Sequence, residues 1–456
     1  MDKLSRRDVI KTLGIGAGTL LAGSALAFDE HNHPIHLPNP RLYPDPSSPI
    51  TAITLGAGNR GNVYGNYASK YPKQLNIIGV AEPIPIRNER YCKQHNIDPK
   101  NSFETWEHVF DQPKMADAII ITTPDDLHYG PCMRALEMGY DILLEKPIAP
   151  TEKECRDILQ LAQKTGRIVA VCHVLRYAPY FIELRDYIQS GKLGELISIQ
   201  HFEPIEHVHM AHSFVRGNWH NSEVTTPIIL AKSCHDMDIM RWLVNKPCKK
   251  VSAFGGLKWF HEENKPEGAT ARCMDGCAIE SSCPYSALKI YHRDRQRTYV
   301  FDLPEDKNLH GDAILEYLRT TNYGRCVYQM ENDQPDHYVM AMEFEDGITA
   351  SFNMEAFTSY HGRKTRIMGS HGDIVGDMRQ FEYCDFFTGE KKVWEMETDG
   401  HGGGDWNLVA DWIQAISKRD KSLLSSSIDA SVESHLMGFA AEESRLGGTV
   451  VKVTLG

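Results

Sequence analysis

The chain has 456 residues, 41% hydrophobic and 24% charged, the balance of a soluble globular protein with material for two or three domains. Collagen, coiled coil and wholesale disorder are excluded by that balance. Lys and Arg number 49 against 61 Asp and Glu, a net charge of −12 with no long basic run. A general nucleic-acid binder carries a basic footprint, so that class is disfavoured. Eleven cysteines in this length are too few for a disulfide scaffold and read mostly as buried thiols.

At the N-terminus, Ser5-Arg6-Arg7-Asp8-Val9-Ile10-Lys11 resembles the twin-arginine export motif. An uncharged run from Thr12 follows and ends in Ala25-Leu26-Ala27, a small-residue pattern that suits signal-peptidase cleavage. The run is too short and Gly-rich for a membrane span, and no Cys lies nearby to carry a lipid anchor. Residues 1–27 are therefore expected to be a targeting segment, and the mature protein to be periplasmic. Removing four basic and two acidic side chains takes the net charge from −12 to −14. Residues 28–49 are Pro- and His-rich and read as an extended arm rather than a domain.

A dinucleotide-binding domain is expected over 50–172. The β-like run Ile50 to Leu55 leads into Gly56-Ala57-Gly58-Asn59-Arg60-Gly61 and then a helix from about Asn62 to Lys70. Glycines at this spacing are weak evidence alone, but here they fall between a strand and a helix, where the mechanism needs them. Gly56 permits the tight turn, Gly58 a close approach of backbone to pyrophosphate, and Gly61 tight helix–strand packing. A second strand, Leu75 to Val80, ends at Glu82, where a carboxylate accepts from the ribose hydroxyls. That charge repels a 2′-phosphate and favours NAD, although Arg87 nearby keeps NADP open. The apolar runs Ala116 to Thr122 and Tyr140 to Leu144 read as parallel strands covered on both faces. They end in Thr123-Pro124, with His128 beyond, and in Glu145-Lys146-Pro147. Ligands of open α/β sheets bind at such carboxyl ends.

Residues 173–456 show short alternating runs at Leu196 to Phe202, Val251 to Phe254, Tyr338 to Phe344 and Thr349 to Met354. Helices are expected over Ala410 to Lys418 and Ala430 to Ser444, and a last strand over Val450 to Leu455. His401-Gly402-Gly403-Gly404-Asp405-Trp406 is too flexible for a strand and reads as a loop.

The ordered set Gly56-Ala57-Gly58-Asn59-Arg60-Gly61, Thr123-Pro124 with His128, Glu145-Lys146-Pro147, Arg176-Tyr177-Ala178-Pro179 and His235-Asp236-Met237-Asp238 resembles the glucose–fructose oxidoreductase, inositol dehydrogenase and rhizopine-catabolism (Gfo/Idh/MocA) family. The resemblance implies an α/β fold: a Rossmann domain followed by an α/β domain with a large, open, mostly antiparallel sheet. It implies oxidation or reduction of sugar and cyclitol hydroxyls with NAD, and pairing of subunits through the open sheet.

Hydride transfer from a sugar carbon needs a base for the hydroxyl proton and polar groups to fix the ring. Lys146 is the first candidate, since an ammonium beside a charged nicotinamide can bond the reacting hydroxyl. The resemblance gives His235 an acid–base role toward substrate. Many family members carry Asp four residues before this histidine, where this chain has Ala231, with Lys232 beside it. Lys232 thus becomes a third catalytic candidate, and the simple proton relay is in doubt. Cofactor contacts are expected from Gly56, Gly58, Asn59, Arg60, Gly61, Glu82, Thr123, Pro124, His128, Glu145 and Lys146. Substrate contacts are expected from Arg176, Tyr177, Trp219, His235 and His401. Cys273-x3-Cys277-x5-Cys283 could bind zinc or an iron–sulfur cluster, but a disulfide or buried thiols are preferred. His207-x-His209-x2-His212 reads as the polar lining of a substrate loop rather than a zinc site. No metal is assigned.

The leading expectation is an exported, NAD-dependent oxidoreductase of a sugar ring hydroxyl that retains its cofactor. A redox-neutral NAD-dependent glycosidase is the alternative, and a non-catalytic sugar sensor ranks third.

Overall fold

A computed structural model describes residues 35–36, 43–396 and 401–454. The twin-arginine segment lies outside the described residues, as does most of the arm. Two sheets organise the rest. The first, in strand order β4-β3-β2-β5-β6-β7, is built from Ser102–Phe103 (β4), Leu75–Ala81 (β3), Ile50–Leu55 (β2), Ala118–Ile121 (β5), Asp141–Leu144 (β6) and Val169–Val171 (β7), all parallel. The chain winds outward in both directions from β2, so the topological switch point falls between β2 and β5. Every residue of β5 and β6 is buried, which follows from helices covering both faces.

The helix Asn59–Lys70 begins three residues earlier than the sequence pattern suggests, because Arg60 and Gly61 already belong to its first turn. The helix Glu152–Thr165 opens on a capping box, Thr151 with Glu154, and stops at the left-handed Gly166. Its hydrophobic stripe, Cys155, Ile158 and Ala162, is buried.

The second sheet has ten strands in the order β1-β15-β14-β13-β12-β8-β11-β10-β9-β16. Its members are Ile35–His36 (β1), Leu196–Pro204 (β8), Cys248–Gly256 (β9), His337–Phe344 (β10), Thr349–Glu355 (β11), Lys364–Gly369 (β12), Gly372–Gly376 (β13), Gln380–Asp385 (β14), Lys391–Glu395 (β15) and Val451–Lys452 (β16). Only β8–β11 and β1–β15 run parallel; the other neighbours are antiparallel. Alternation along β10 buries Tyr338, Met340, Met342 and Phe344 against the helices Cys234–Val244 and Ile428–Gly447 while Val339 faces outward.

Three features depart from the sequence reading. The chain after residue 173 does not stay with the second sheet: helix Gly404–Lys418 packs Leu408, Val409, Trp412 and Ile413 into the core of the first. The Gly402–Gly404 stretch read as a loop is the entry to that helix. The meander β12 to β15 went unforeseen. Of the expected arm, Ile35–His36 pairs with Trp394 and Glu395, and Tyr43 donates from its hydroxyl to Asp411 at 2.6 Å. Among the described residues, no helix is long and apolar enough to cross a membrane.

Candidate active site

The carboxyl ends of β2, β5 and β6 meet at the glycine turn. Gly56 takes φ +92°, and a Cβ there would stand 2.8 Å from the Thr122 carbonyl oxygen. A Cβ on Gly61 would stand 2.2 Å from the Gly56 carbonyl oxygen, so only glycine lets the helix approach the strand so closely. Above Gly58 there is open space. The helix that follows has no side-chain cap and no acidic residue in its first turn, which leaves its amides available to an anion. This cradle fits the pyrophosphate of a dinucleotide. Gly58→Ala is expected to leave Tm unchanged and weaken NAD binding at least tenfold (about 1.4 kcal/mol). Gly61→Ala should lower both, and calorimetry with NAD titration separates the two.

Glu82, buried at the end of β3, accepts from Ala57 N at 2.7 Å and Ile84 N at 2.9 Å. It therefore braces the turn with both of its oxygens. Arg87, which kept NADP open in the sequence, donates to Asp302 at 2.7 Å and is already paired. Asn59 is exposed at the helix start, and Thr123 and Pro124 border the same edge. Two expected cofactor contacts face elsewhere. The buried His128 ring lies between the Pro147 and Thr123 carbonyl oxygens, at 2.7 and 3.0 Å, and so ties together the loops after β5 and β6. Arg60 donates to Glu145 at 2.5 Å and to Asp405 at 2.6 Å rather than standing free over the turn.

Glu145 is buried and accepts from Arg60, from the Tyr64 hydroxyl at 2.5 Å and from Lys146 N at 3.0 Å. Burial alone would raise its carboxyl, but Arg60 and Lys146 hold it below the usual carboxylate range. Lys146 reaches out of the first domain, and its Nζ donates to the Ala231 carbonyl oxygen at 2.7 Å. That carbonyl belongs to the short helix Ile228–Ala231, one turn before His235. The backbone oxygen of Ala231 thus meets the lysine four residues before His235.

His235 stands at the start of helix Cys234–Val244, 4% exposed, and its Nδ1 has no partner. Burial first, then the charges of Lys146, His401 and Arg363, push its imidazole far below the usual range, so it is neutral at pH 7. Its ring centroid is 5.8 Å from that of His401. His401 Nδ1 lies 3.0 Å from Asp405, which in turn pairs with Arg60. A chain of contacts therefore runs His235, His401, Asp405, Arg60, Glu145, and it joins the second domain to the first.

Lys232 pairs with Glu203 at 3.1 Å, and Arg363 bridges Glu203 at 3.0 Å to Asp236 at 2.6 Å. Asp236 also holds His201 at 2.9 Å. Burial lowers the Lys232 ammonium against the pull of Glu203. Lys232 is thus a fixed cation beside the site, anchored by a network that the sequence did not reveal. The expected histidine trio divides. His207 Nδ1 faces the Thr358 carbonyl, His209 is depressed by burial and by Lys232, Arg297, His212 and Lys146, and His212 packs with Tyr291 and Tyr323. The segment is helical, so an H-x-H pair on one strand face does not form.

Two expected substrate contacts, Arg176 and Tyr177, are buried and paired inside the protein, and a third, Trp219, is held by its indole N–H. Arg176 is 4% exposed and donates from Nε and Nη2 to Asp238 at 2.6 Å each. Tyr177 is buried with its hydroxyl 2.9 Å from Ser426 Oγ. The Trp219 indole N–H donates to Asp125 at 2.9 Å and pins the second domain to the loop after β5. Among the described residues no group of three His, Cys, Asp or Glu is poised to hold a metal ion, and all eleven cysteines are free.

Six histidines share one pKa direction. Burial is the first cause in each, lowering His95 to about 4 and His212 and His435 to about 3, and holding His173, His209 and His235 well below the usual range. The unfolded chain binds these protons near pH 6.5 and the folded chain does not. Stability is therefore full above that pH and falls below it, with a slope of up to about 1.4 kcal/mol per pH unit for each fully buried ring. Tm is expected to drop steeply between pH 7 and 5 in scanning calorimetry. A flat Tm across that window would contradict the assignment of neutral buried rings.

A doubly wound dinucleotide domain whose sheet edge receives a lysine, met by a histidine from an open-sheet domain, defines a nicotinamide-dependent dehydrogenase. Residues 50–173 match the family profile described as "Oxidoreductase family, NAD-binding Rossmann fold", and residues 185–453 match "Oxidoreductase family, C-terminal alpha/beta domain". The chain belongs to the Gfo/Idh/MocA oxidoreductase family, and its first domain is the NAD-binding one. The putative oxidoreductase YteT of Bacillus subtilis is 24% identical over 365 residues, covering 75% of this chain and 83% of that protein. The scyllo-inositol 2-dehydrogenase (NAD(+)) of the same organism is 26% identical over 208 residues, covering 46% of this chain and 58% of its own length. Among solved structures, levoglucosan dehydrogenase in complex with NADH and levoglucosan shares the fold at TM-score 0.67 and 16% identity, over 89% of this chain and all of that one. An inositol dehydrogenase homolog from Azotobacter vinelandii, with NADH and myo-inositol, gives 0.64 at 16% identity over 90% of this chain and 98% of that one.

Proposed function

We propose that the protein is an exported, NAD-dependent oxidoreductase acting on a ring hydroxyl of a sugar, cyclitol or glycoside. The observation that carries the proposal is the meeting of Lys146, from the end of β6, with the Ala231–His235 segment of the second domain. NAD supplies the hydride acceptor. The Lys146 ammonium bonds the hydroxyl oxygen that is losing its proton and stabilises the charge that develops there. Neutral His235 takes that proton on its ring, and His401, oriented by Asp405, is placed to pass it outward. Lys232, held by Glu203, fixes a neighbouring oxygen of the ring.

Retention of the nucleotide and export already folded through the twin-arginine route belong to the same proposal. Pairing of subunits is supported by apolar side chains left on the open sheet, among them Phe254, Val339, Ile197 and Val375, which are 42–63% exposed.

The test uses purified mature protein without added NAD and follows an aryl glycoside spectrally. One stoichiometric rise of the reduced-nicotinamide band, with no chromophore released, is the expected result. Repeated chromophore release with no lasting change in that band would replace the proposal with the redox-neutral glycosidase.

A further inference from the structure

Strands β9 and β10 are antiparallel neighbours, yet residues 257–336 lie between them. Such strands are normally joined by a few residues, and long connections with little regular structure of their own are uncommon. This one contains a single helix of any length, His310–Thr320, with only short turns elsewhere. Its local apolar core is small: Ala287, Ile290, Tyr291, Phe301, Ile314 and Leu318, with Val208 from outside. Phe260, Tyr285, Val327 and Tyr328 join the main core instead, so the middle of the segment has little of its own to bury, a case in which covalent or metal staples are common.

The geometry points to a structural tetrathiolate metal centre in this segment, held by Cys273, Cys277, Cys283 and Cys326. The four thiols line one small cavity. Two are set side by side by the backbone. Arg272 and Arg325 form an antiparallel bridge, so that Cys273 N donates to the Gly324 carbonyl at 3.1 Å and Cys326 N to the Ala271 carbonyl at 2.8 Å. Gly276, at φ +74°, turns the chain back to bring Cys277 to the same cavity, and Cys283 follows one short turn later. Cys326 lies 43 positions beyond Cys283, so the C-x3-C-x5-C run alone supplies three of the four ligands.

A second observation concerns charge. Arg216 lines the same cavity and is 2% exposed. It donates to the Arg325 carbonyl at 2.7 Å, the Tyr285 carbonyl at 2.8 Å and Cys273 Sγ at 3.8 Å, while its Nη1 has no partner. Among the described residues, no carboxylate meets this guanidinium. Glu280 also borders the cavity, but its oxygens are held by Arg293 and Ser286. A buried cation without a counter-charge is strongly unfavourable. Disulfides would be neutral and would leave it so. A divalent ion held by four thiolates is a dianion and supplies the missing charge. Cys273 Sγ also receives Ala287 N at 3.4 Å, an N–H donor of the kind that supports ligating thiolates.

In this structure the thiols surround the cavity without forming a coordination shell, and binding requires their side chains to turn inward. The centre is a staple and takes no part in hydride transfer. It secures a segment that reaches the NAD domain through Asp302 to Arg87 and the Leu303 carbonyl to Arg90.

The test is elemental analysis of the purified full chain, prepared without chelator, together with its visible spectrum. One zinc per chain with no colour, or iron with sulfide and a broad charge-transfer band, each supports a tetrathiolate centre and identifies which metal fills it. Cys283→Ser and Cys326→Ser should lose the metal, whereas Cys384→Ser, on β14, should keep it. Should the first two variants fail to fold, mercurial titration of the unmodified protein gives the answer, because metal release should track modification of four thiols. Metal-free protein, or fewer than eleven thiols after denaturation without reductant, would overturn the assignment.

Discussion

Lys146→Met is expected to lower kcat/KM for sugar oxidation by about 10²–10⁴-fold, the usual span for removing a positioned acid–base group. Methionine preserves most of the apolar stem, so the packing beside Ala231 changes little, while the ammonium that donates to its carbonyl at 2.7 Å is gone. NAD affinity should stay within a few-fold, since the glycine turn and Glu82 form their own set of backbone contacts. His235→Asn should produce a loss of similar size. The double variant should be little worse than either single one, because two groups handling one proton act as a unit. Lys232→Met, by contrast, should raise KM more than it lowers kcat, since its ammonium is tied to Glu203 at 3.1 Å and serves to hold the ring. Stopped-flow measurement of the nicotinamide band in a single turnover reads the chemical step directly. An unchanged single-turnover rate in Lys146→Met would remove the lysine from the mechanism.

The first domain was legible because its signals are local. A glycine turn between a β-like run and a helix is complete within a dozen residues, and fully buried parallel strands such as Ala118–Ile121 announce themselves by unbroken apolarity. Lys146 and His235 are singled out by the family resemblance, and the structure brings them to one place through the Ala231 segment. What could not be read is pairing over long separations. Arg60 meets Asp405 across 345 positions and Arg176 meets Asp238 across 62. A buried, paired arginine looks the same in sequence as one aimed at a ligand. Asp405 stood inside a motif noted for its glycines and its histidine, and nothing local showed that the carboxylate orients His401. The strands β12 to β15 are short and mixed in polarity, and they take their identity from the sheet they join.

The correction at Arg176 carries the other large effect. Arg176→Met is expected to destabilise the protein by about 3–5 kcal/mol, because it leaves Asp238 buried without its cation. In a protein of this size that corresponds to a fall in Tm of roughly 4–6 °C. The Asp238 side chain is 1% exposed, and its remaining partners are the Ser434 hydroxyl at 3.1 Å and His173, whose Nε2 stands 3.7 Å away. Burial is the largest cause holding that histidine far below its usual range and persists in the variant, so its neutral ring is a poor replacement for the lost charge. Pairing the change with Asp238→Asn removes the stranded anion, so the double variant should lose less than the sum of the two single variants. A substrate-binding arginine would behave differently, with KM rising and Tm holding. Thermal melts and substrate saturation curves on the same four proteins separate the two roles, since the structural one predicts that whatever remains folded keeps its KM.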